Sequence, residues 1–197
     1  KEGVKYQQEK PFQPINGFIK TFYENESLKT LENYEDGKLN GMFEGYHYNG
    51  QLKERGSFKN GEYDGPWKQY DPDGKLQWKG SYKDGEWDGV IEVYSTTGQL
   101  WTKVSYKDGE WDGPYEEYTE NGQLKRKTSY RDGKEEGPLK IYHDNGNLWI
   151  KRFFKDGEYD GPYEDYHENG ELKESGSYKD GEWDGPPKFY DENGQLK

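Results

Sequence analysis

The sequence predicts an all-β fold: an elongated, curved array of stacked antiparallel β-hairpins, one layer thick and solenoid-like. Three observations carry this. Glycines recur every 24 residues along almost the whole chain, as at Gly65, Gly89, Gly113, Gly137 and Gly161. Asn-Gly and Asp-Gly pairs stand between short aromatic and β-branched runs, which is how hairpins are punctuated. Each unit is too short for a pair of helices, and apart from a few weak i, i+3 pairs it lacks helical periodicity.

Taken in order, residues 1–16 read as a degenerate N-terminal cap. Val4 falls one period before Leu28, and Ile15 one period before Leu39. Residues 17–197 read as seven full repeats of 24 residues and a C-terminal half-repeat. A start at Lys1 without Met fits a removed leader or an artificial cut. Within the repeats a Tyr series includes Tyr46, Tyr70, Tyr94, Tyr118, Tyr142 and Tyr166, and a Leu series includes Leu52, Leu76, Leu100 and Leu124. A second ring series reads Tyr34, Phe58, Tyr82, Tyr106, Tyr130, Phe154 and Tyr178.

The turn after each Tyr can be typed. In Asp71-Pro72-Asp73-Gly74 the proline would remove a paired N–H from a two-residue hairpin. It suits the first central position of a type I turn whose Gly forms a G1 bulge. That loop pairs Tyr70 with Leu76 and Tyr118 with Leu124. Continued without interruption, it sets Glu117 opposite Lys125 and Glu116 opposite Arg126. Roughly 15 strands at ~4.8 Å each make an array about 70 Å long. One hairpin cannot bury its apolar face alone, whereas a stack of them can.

Composition excludes several classes. A length of 197 residues fits one elongated domain or two small ones. Leu, Ile, Val and Phe are only 28 of these residues and the net charge is −12, a combination that ordinarily signals disorder. Aromatics at 17% contradict disorder and point to a core built from rings. No apolar run approaches the ~20 residues of a membrane span, so no transmembrane insertion is expected. The absence of Cys excludes disulfides, thiol nucleophiles and Cys-ligated metals. The acidic balance argues against nucleic acid as a partner and against adsorption to anionic lipid.

Several side-chain groups invite a metal or catalytic reading, and each also has a structural one. His47, His143 and His167 share one repeat position, where other repeats hold Asp71, Ser95, Thr119 and Asp191. That pattern reads as turn polarity rather than a zinc site. Asp108-Gly109-Glu110-Trp111-Asp112-Gly113 matches the first half of a calcium loop. Three of its four copies lack the closing acid, as at Thr119, so turn-forming and solubilising acids are the stronger reading. Carboxylate pairs abound, but repetition gives them equivalent surroundings, whereas acid–base catalysis needs two pKa values pushed apart. No catalytic residue, metal or cofactor is assigned.

The aromatics are the stronger signal. Tyr115 and Tyr118 alternate to opposite faces, so one face's rings pack while Trp67, Tyr115 and Tyr163 form an exposed ladder for a ligand. Packing of both faces through local bends is the competing reading. The sixth repeat departs most, with Lys134-Glu135-Glu136 and Leu139. Val90-Ile91-Glu92-Val93 and Trp149-Ile150-Lys151-Arg152-Phe153-Phe154 are the most apolar stretches, read first as core and second as a partner patch.

Units such as Tyr106-Lys107-Asp108-Gly109-Glu110-Trp111-Asp112-Gly113-Pro114-Tyr115, followed by Tyr118, Asn121-Gly122 and Leu124, resemble the MORN (membrane occupation and recognition nexus) repeat. They are most similar to the variant form in bacterial proteins labelled YwqK-family antitoxins, and the likeness covers about residues 15–197. The resemblance implies stacked hairpins and a binding role without a catalytic centre. Roles in the family are partner-protein scaffolding and, in some eukaryotic members, lipid association. The expected function is therefore a non-catalytic scaffold binding a protein partner with a basic surface, antitoxin-like in family terms. A glycan binder of the cell envelope using the exposed ladder is the alternative, and calcium-dependent adhesion ranks third. An exported or envelope location is slightly favoured over the cytoplasm.

Overall fold

A computed structural model describes residues 15–197. Gly17–Phe22, Leu28–Glu35, Lys38–Tyr46 and Leu52–Lys59 open a single sheet in which every leg pairs antiparallel with the next one along the chain. The pattern continues to Lys188–Phe189. Among the described residues there are twenty strands, and five two-residue strands such as Glu62–Tyr63 belong to the same pass as the strand that follows, leaving fifteen passes across one layer. Of the cap region, Val4 lies outside the described residues. Ile15 does take the role of Leu39: its carbonyl accepts the Gly37 N–H at 2.9 Å, as the Leu39 carbonyl accepts the Gly61 N–H at 2.8 Å.

Two turn types alternate. At Asp71–Gly74 the Gly74 N–H donates to the Asp71 carbonyl at 2.9 Å, the Asp71 N–H donates to Lys75, and Gly74 has φ +81°. This is a type I turn closed by a glycine bulge. At the other edge Asp108 and Gly109 both have positive φ, +48° and +80°, between the paired residues Lys107 and Glu110. That is a two-residue type I′ turn, whose twist matches the flanking strands and which Asp-Gly tolerates best.

Both edges are laced from repeat to repeat. The Asn49 and Asn145 amides each accept an N–H two residues on, then donate across to the next repeat's Pro72 and Glu168 carbonyls, both at 2.7 Å. On the opposite edge the Gly109 N–H reaches the Trp87 carbonyl at 3.0 Å.

The register corrects the uninterrupted pairing. Tyr118 opposes Leu124, but Glu117 opposes Arg126 and Glu116 opposes Lys127, because Lys125 is an extra residue with no partner opposite it. A bulge after the turn shifts everything beyond it by one. One expected charge partnership survives the shift, with Lys125 Nζ 2.8 Å from Glu117, whereas Glu116 takes Lys127 at 2.8 Å in place of Arg126.

The core is a stack of rings on one face. Phe58, Tyr63, Tyr82 and Trp87 follow one another at centroid separations of 3.8–4.9 Å, and Trp67 packs edge-on beneath Tyr63 at 4.8 Å. Aromatic pairs of this kind contribute about 0.5–1.5 kcal/mol each beyond area burial. Beneath the stack, large residues oppose small ones across strands: Phe43 opposes Gly56, Trp67 opposes Gly80, and Tyr163 opposes Gly176. Where the ring shrinks to Ile91 its partner grows to Val104, and Leu139 faces Arg152.

The stack is interrupted where the fifth repeat meets the sixth, and the odd residues there have structural work. Glu135 pairs with Arg126 at 2.6 Å, and Glu136 accepts the Asp156 N–H at 3.0 Å. Arg152 lies 4.7 Å from the Tyr163 ring centroid and forks onto Asp165.

A Cβ at Gly56 would stand 1.9 Å from the Trp67 ring. Gly56→Ala is therefore expected to lower stability by about 1–3 kcal/mol through overpacking, and Gly56→Ala/Trp67→Leu to recover part of the loss. Urea denaturation of the single and double variants measures both.

Candidate interaction surface

The residues singled out as an exposed ladder lie elsewhere. Trp67 is 3% exposed and Tyr163 1%, while Tyr115 is half-buried and stacked on Trp111 at 5.5 Å. Both are core because each opposes a glycine and is roofed by the next ring series. The Tyr163 hydroxyl donates to Glu174 at 2.7 Å, and burial pushes its pKa up. Alternation does send Tyr115 and Tyr118 to opposite faces, but the Tyr115 face is the packed one.

Exposed rings occur at the ends of the array, as at Phe22 and Trp183, and at the turn residue Tyr48, and within the repeats the bulge exposes two more. The extra residue after each turn has no cross-strand partner and splays outward. Lys29, Lys53, Gln77, Lys125 and Lys173 occupy it in five repeats, and Trp101 and Trp149 in two. Trp101 is 55% exposed and Trp149 45%. Strict alternation hid these two; their signal was a Trp at a position otherwise filled by Lys or Gln.

Their surroundings are polar and acidic. Trp149 stacks on His143 at 5.4 Å, beside a shallow depression of about 380 Å³ that also includes Lys125, Asp144 and Glu168. Trp101 and Glu120 share another of about 350 Å³. Four strand steps separate the two indoles, about 19 Å along the array.

The apolar stretches divide between the two roles. Ile91 is buried while Val90 is exposed, and Trp149 points out while Ile150 is partly covered.

Two of the three histidines serve the lacing, while His167 Nε2 is buried without a hydrogen-bond partner among the described residues. His47 and His143 Nε2 lie 2.9 and 3.3 Å from the Tyr70 and Tyr166 carbonyls of the following repeats. The acids of the Asp-Gly edge are similarly occupied, since Asp112 and Asp160 accept the N–H groups of Asp132 and Asp180 in the next turns. Among the described residues no group of three or more His, Asp or Glu side chains is placed to hold a metal ion.

On the face opposite the rings, a Tyr–Glu–Lys triad recurs. The Tyr118 hydroxyl donates to Glu116 at 2.8 Å, and Lys127 holds the other carboxylate oxygen at 2.8 Å. Tyr94–Glu92–Lys79 and Tyr166–Glu164–Lys151 repeat it. Lysine hydrogen bonds, with help from the tyrosines, hold Glu92, Glu116 and Glu164 below the ordinary carboxylate value. Burial and the carboxylate hydrogen bond push Tyr118 and Tyr166 up to about 12.

A lowered carboxyl adds stability above its unfolded value and loses it as pH falls through the folded one. A raised phenol adds stability below its unfolded value of 10.0 and loses it as pH rises towards about 12. The melting temperature is therefore expected to be flat near neutrality and to fall below about pH 4.5 and above about pH 10. Glu92→Gln/Glu116→Gln/Glu164→Gln should lower the plateau and shrink both falls, read by circular dichroism melts across pH.

Comparison with known proteins agrees with the repeat and its phase. The family model described as MORN repeat variant matches residues 39–60, 63–84, 87–108, 111–132, 135–156 and 159–180. No curated protein matches the chain. MORN repeats act generally in protein or membrane interaction. With six tandem matches covering most of its length, the chain belongs to the MORN repeat variant family.

Proposed function

We propose that the protein is a non-catalytic scaffold that binds a partner protein bearing a basic surface. The observation that carries this is the pair of tryptophans, Trp101 and Trp149, exposed at the bulge position of a rigid frame. Indoles are typical anchors of protein interfaces. Glu120, Asp144 and Glu168 beside them supply charge for a basic partner and speed its encounter. The uniform environment of Glu92, Glu116 and Glu164, each displaced in the same direction by the same neighbours, supports a binding rather than an acid–base role.

The test is capture from a lysate and an envelope fraction of the source organism, using the wild-type chain and Trp101→Ala/Trp149→Ala. A stoichiometric protein eluted by salt is expected, with affinity reduced about thirtyfold in the variant, the ~2 kcal/mol of a hot-spot truncation. Equal capture by both chains would sink the assignment. If the partner arrests growth when expressed alone, rescue by co-expression would identify the antitoxin-like form of this function.

A glycan ligand is the second reading, favoured by the Trp149 ring beside the polar groups of Asp144, Asn145 and Glu168. Its mark would be salt-insensitive retention of polysaccharide without protein.

A further inference from the structure

The face carrying the Tyr–Glu–Lys triads also carries a row of positive charge. Cross-strand partners share a face. Following them, Glu44 opposes Arg55, Arg55 opposes Lys68, Lys68 opposes Lys79, and Lys79 opposes Glu92. Beyond Lys103 and Glu116 the sequence of charges recurs as Lys127, Lys140 and Lys151, closed by Glu164. From Glu44 to Glu164 the row holds seven cations against four carboxylates, in a chain of net charge −12.

Like charges opposed on neighbouring strands destabilise a sheet. The pairs Arg55/Lys68, Lys68/Lys79, Lys127/Lys140 and Lys140/Lys151 are all of this kind. The outer cation of each pair has a glutamate: Arg55 lies 3.4 Å from Glu44, Lys79 2.8 Å from Glu92, Lys127 2.8 Å from Glu116 and Lys151 2.7 Å from Glu164. The central lysines, Lys68 and Lys140, make no ion pair among the described residues. The fold accepts an acid at their position, since Glu92 and Glu116 occupy it in other repeats. A local rule broken twice, in the same way and without structural compensation, marks a functional position.

We propose that this row is a docking strip for an extended acidic polypeptide segment of a partner, laid along the array with its carboxylates on Lys68 and Lys140. Six strand steps separate the two lysines, about 29 Å, which roughly nine extended residues span. Apolar surface lines both ends. Lys68 and Arg55 share a depression of about 380 Å³ with Met42, Pro66 and Tyr70, and the Lys151 ammonium stands 5.7 Å from the Phe153 ring centroid. Such borders suit carboxylates on aliphatic stems set among peptide side chains. A phosphodiester polymer offers them nothing apolar, and five of the six clustered cations are Lys rather than the forked Arg best suited to phosphate. The inference uses none of the side chains of the tryptophan surface; it shares with that reading only the idea that the ligand is a protein.

The probe is a fluorescein-labelled oligoglutamate of about twelve residues, long enough for the span at ~3.3 Å per residue, titrated against the whole chain at low ionic strength by anisotropy. Binding is expected to be weakened by salt and to fall about tenfold or more in Lys68→Glu/Lys140→Glu, with a smaller loss in Lys68→Gln/Lys140→Gln. Lys83→Glu/Lys155→Glu, the same charge change at the Asp-Gly edge, should leave it within about twofold. Unaltered melting temperatures establish that the variants fold, and the glutamine pair serves if the reversed pair does not. No binding by the wild-type chain, or equal loss in the row and edge variants, would overturn the proposal. Tighter, row-dependent binding of inorganic polyphosphate with none of oligoglutamate would also overturn it, in favour of a phosphate polymer. Loss of partner capture by Trp101→Ala/Trp149→Ala bears on the other surface alone, so either assignment can fail without the other.

Discussion

In a sheet one layer thick, no second layer covers the rings, so each ring must find its burial in the rings of adjacent repeats. Trp67 is buried because Tyr63 and Tyr82 lie against it and Gly56 leaves it room. A slip of one residue at any turn would turn an entire leg to the other face. The ring stack therefore demands fixed loop lengths. The alternating five-residue and two-residue connections supply them, and the Asn amides on one edge and Gly N–H groups on the other hold successive repeats in phase.

The Gly and Asp-Gly spacing made the hairpin array, its turn type at Asp71–Gly74 and the partnership of Tyr70 with Leu76 legible in the residues alone. What was not legible followed from one omitted geometric term. The bulge at Lys125 and its equivalents leaves no gap in the spacing, because every repeat contains it and the period stays at 24. It changes only which side chains oppose one another, and pattern reading assumes that opposition is continuous. The burial of Trp67 and Tyr163 was hidden for a related reason. A ring's exposure is decided by the size of the residue facing it on a neighbouring strand, Gly56 for Trp67 and Gly176 for Tyr163, glycines that read in the sequence as turn or bend positions.

Net charge was misleading in a similar way. A value of −12 describes the whole chain and says nothing of rows. A sheet sorts its residues by strand parity and by distance from the turn, so a lysine recurring at one position becomes a continuous line even where acids outnumber bases. The glutamates of that line are committed to lysine and tyrosine. The acids at the Asp-Gly edge are partly committed to the next turn's N–H groups. Charge left over after these commitments, at Lys68 and Lys140, is local rather than average.

Variation among the repeats then separates into two kinds. Within the stack a change is matched across the strand, as when Trp67 opposite Gly80 gives way to Ile91 opposite Val104, or when Leu139 faces an arginine that forks onto Asp165. Such matching gives the sixth repeat's charged residues partners on neighbouring strands, although Arg126 Nε and Thr128 Oγ1 stay buried without a hydrogen bond among the described residues. At the bulge position nothing stands opposite, so Lys53, Gln77, Trp101 and Trp149 exchange without compensation elsewhere. A side chain there changes little in the core and is presented to solvent on a frame fixed by its neighbours. This division lets a repeat protein keep its register while the chemistry along its edge differs from one repeat to the next. It is why recognition is sought at uncompensated positions rather than at the most aromatic ones.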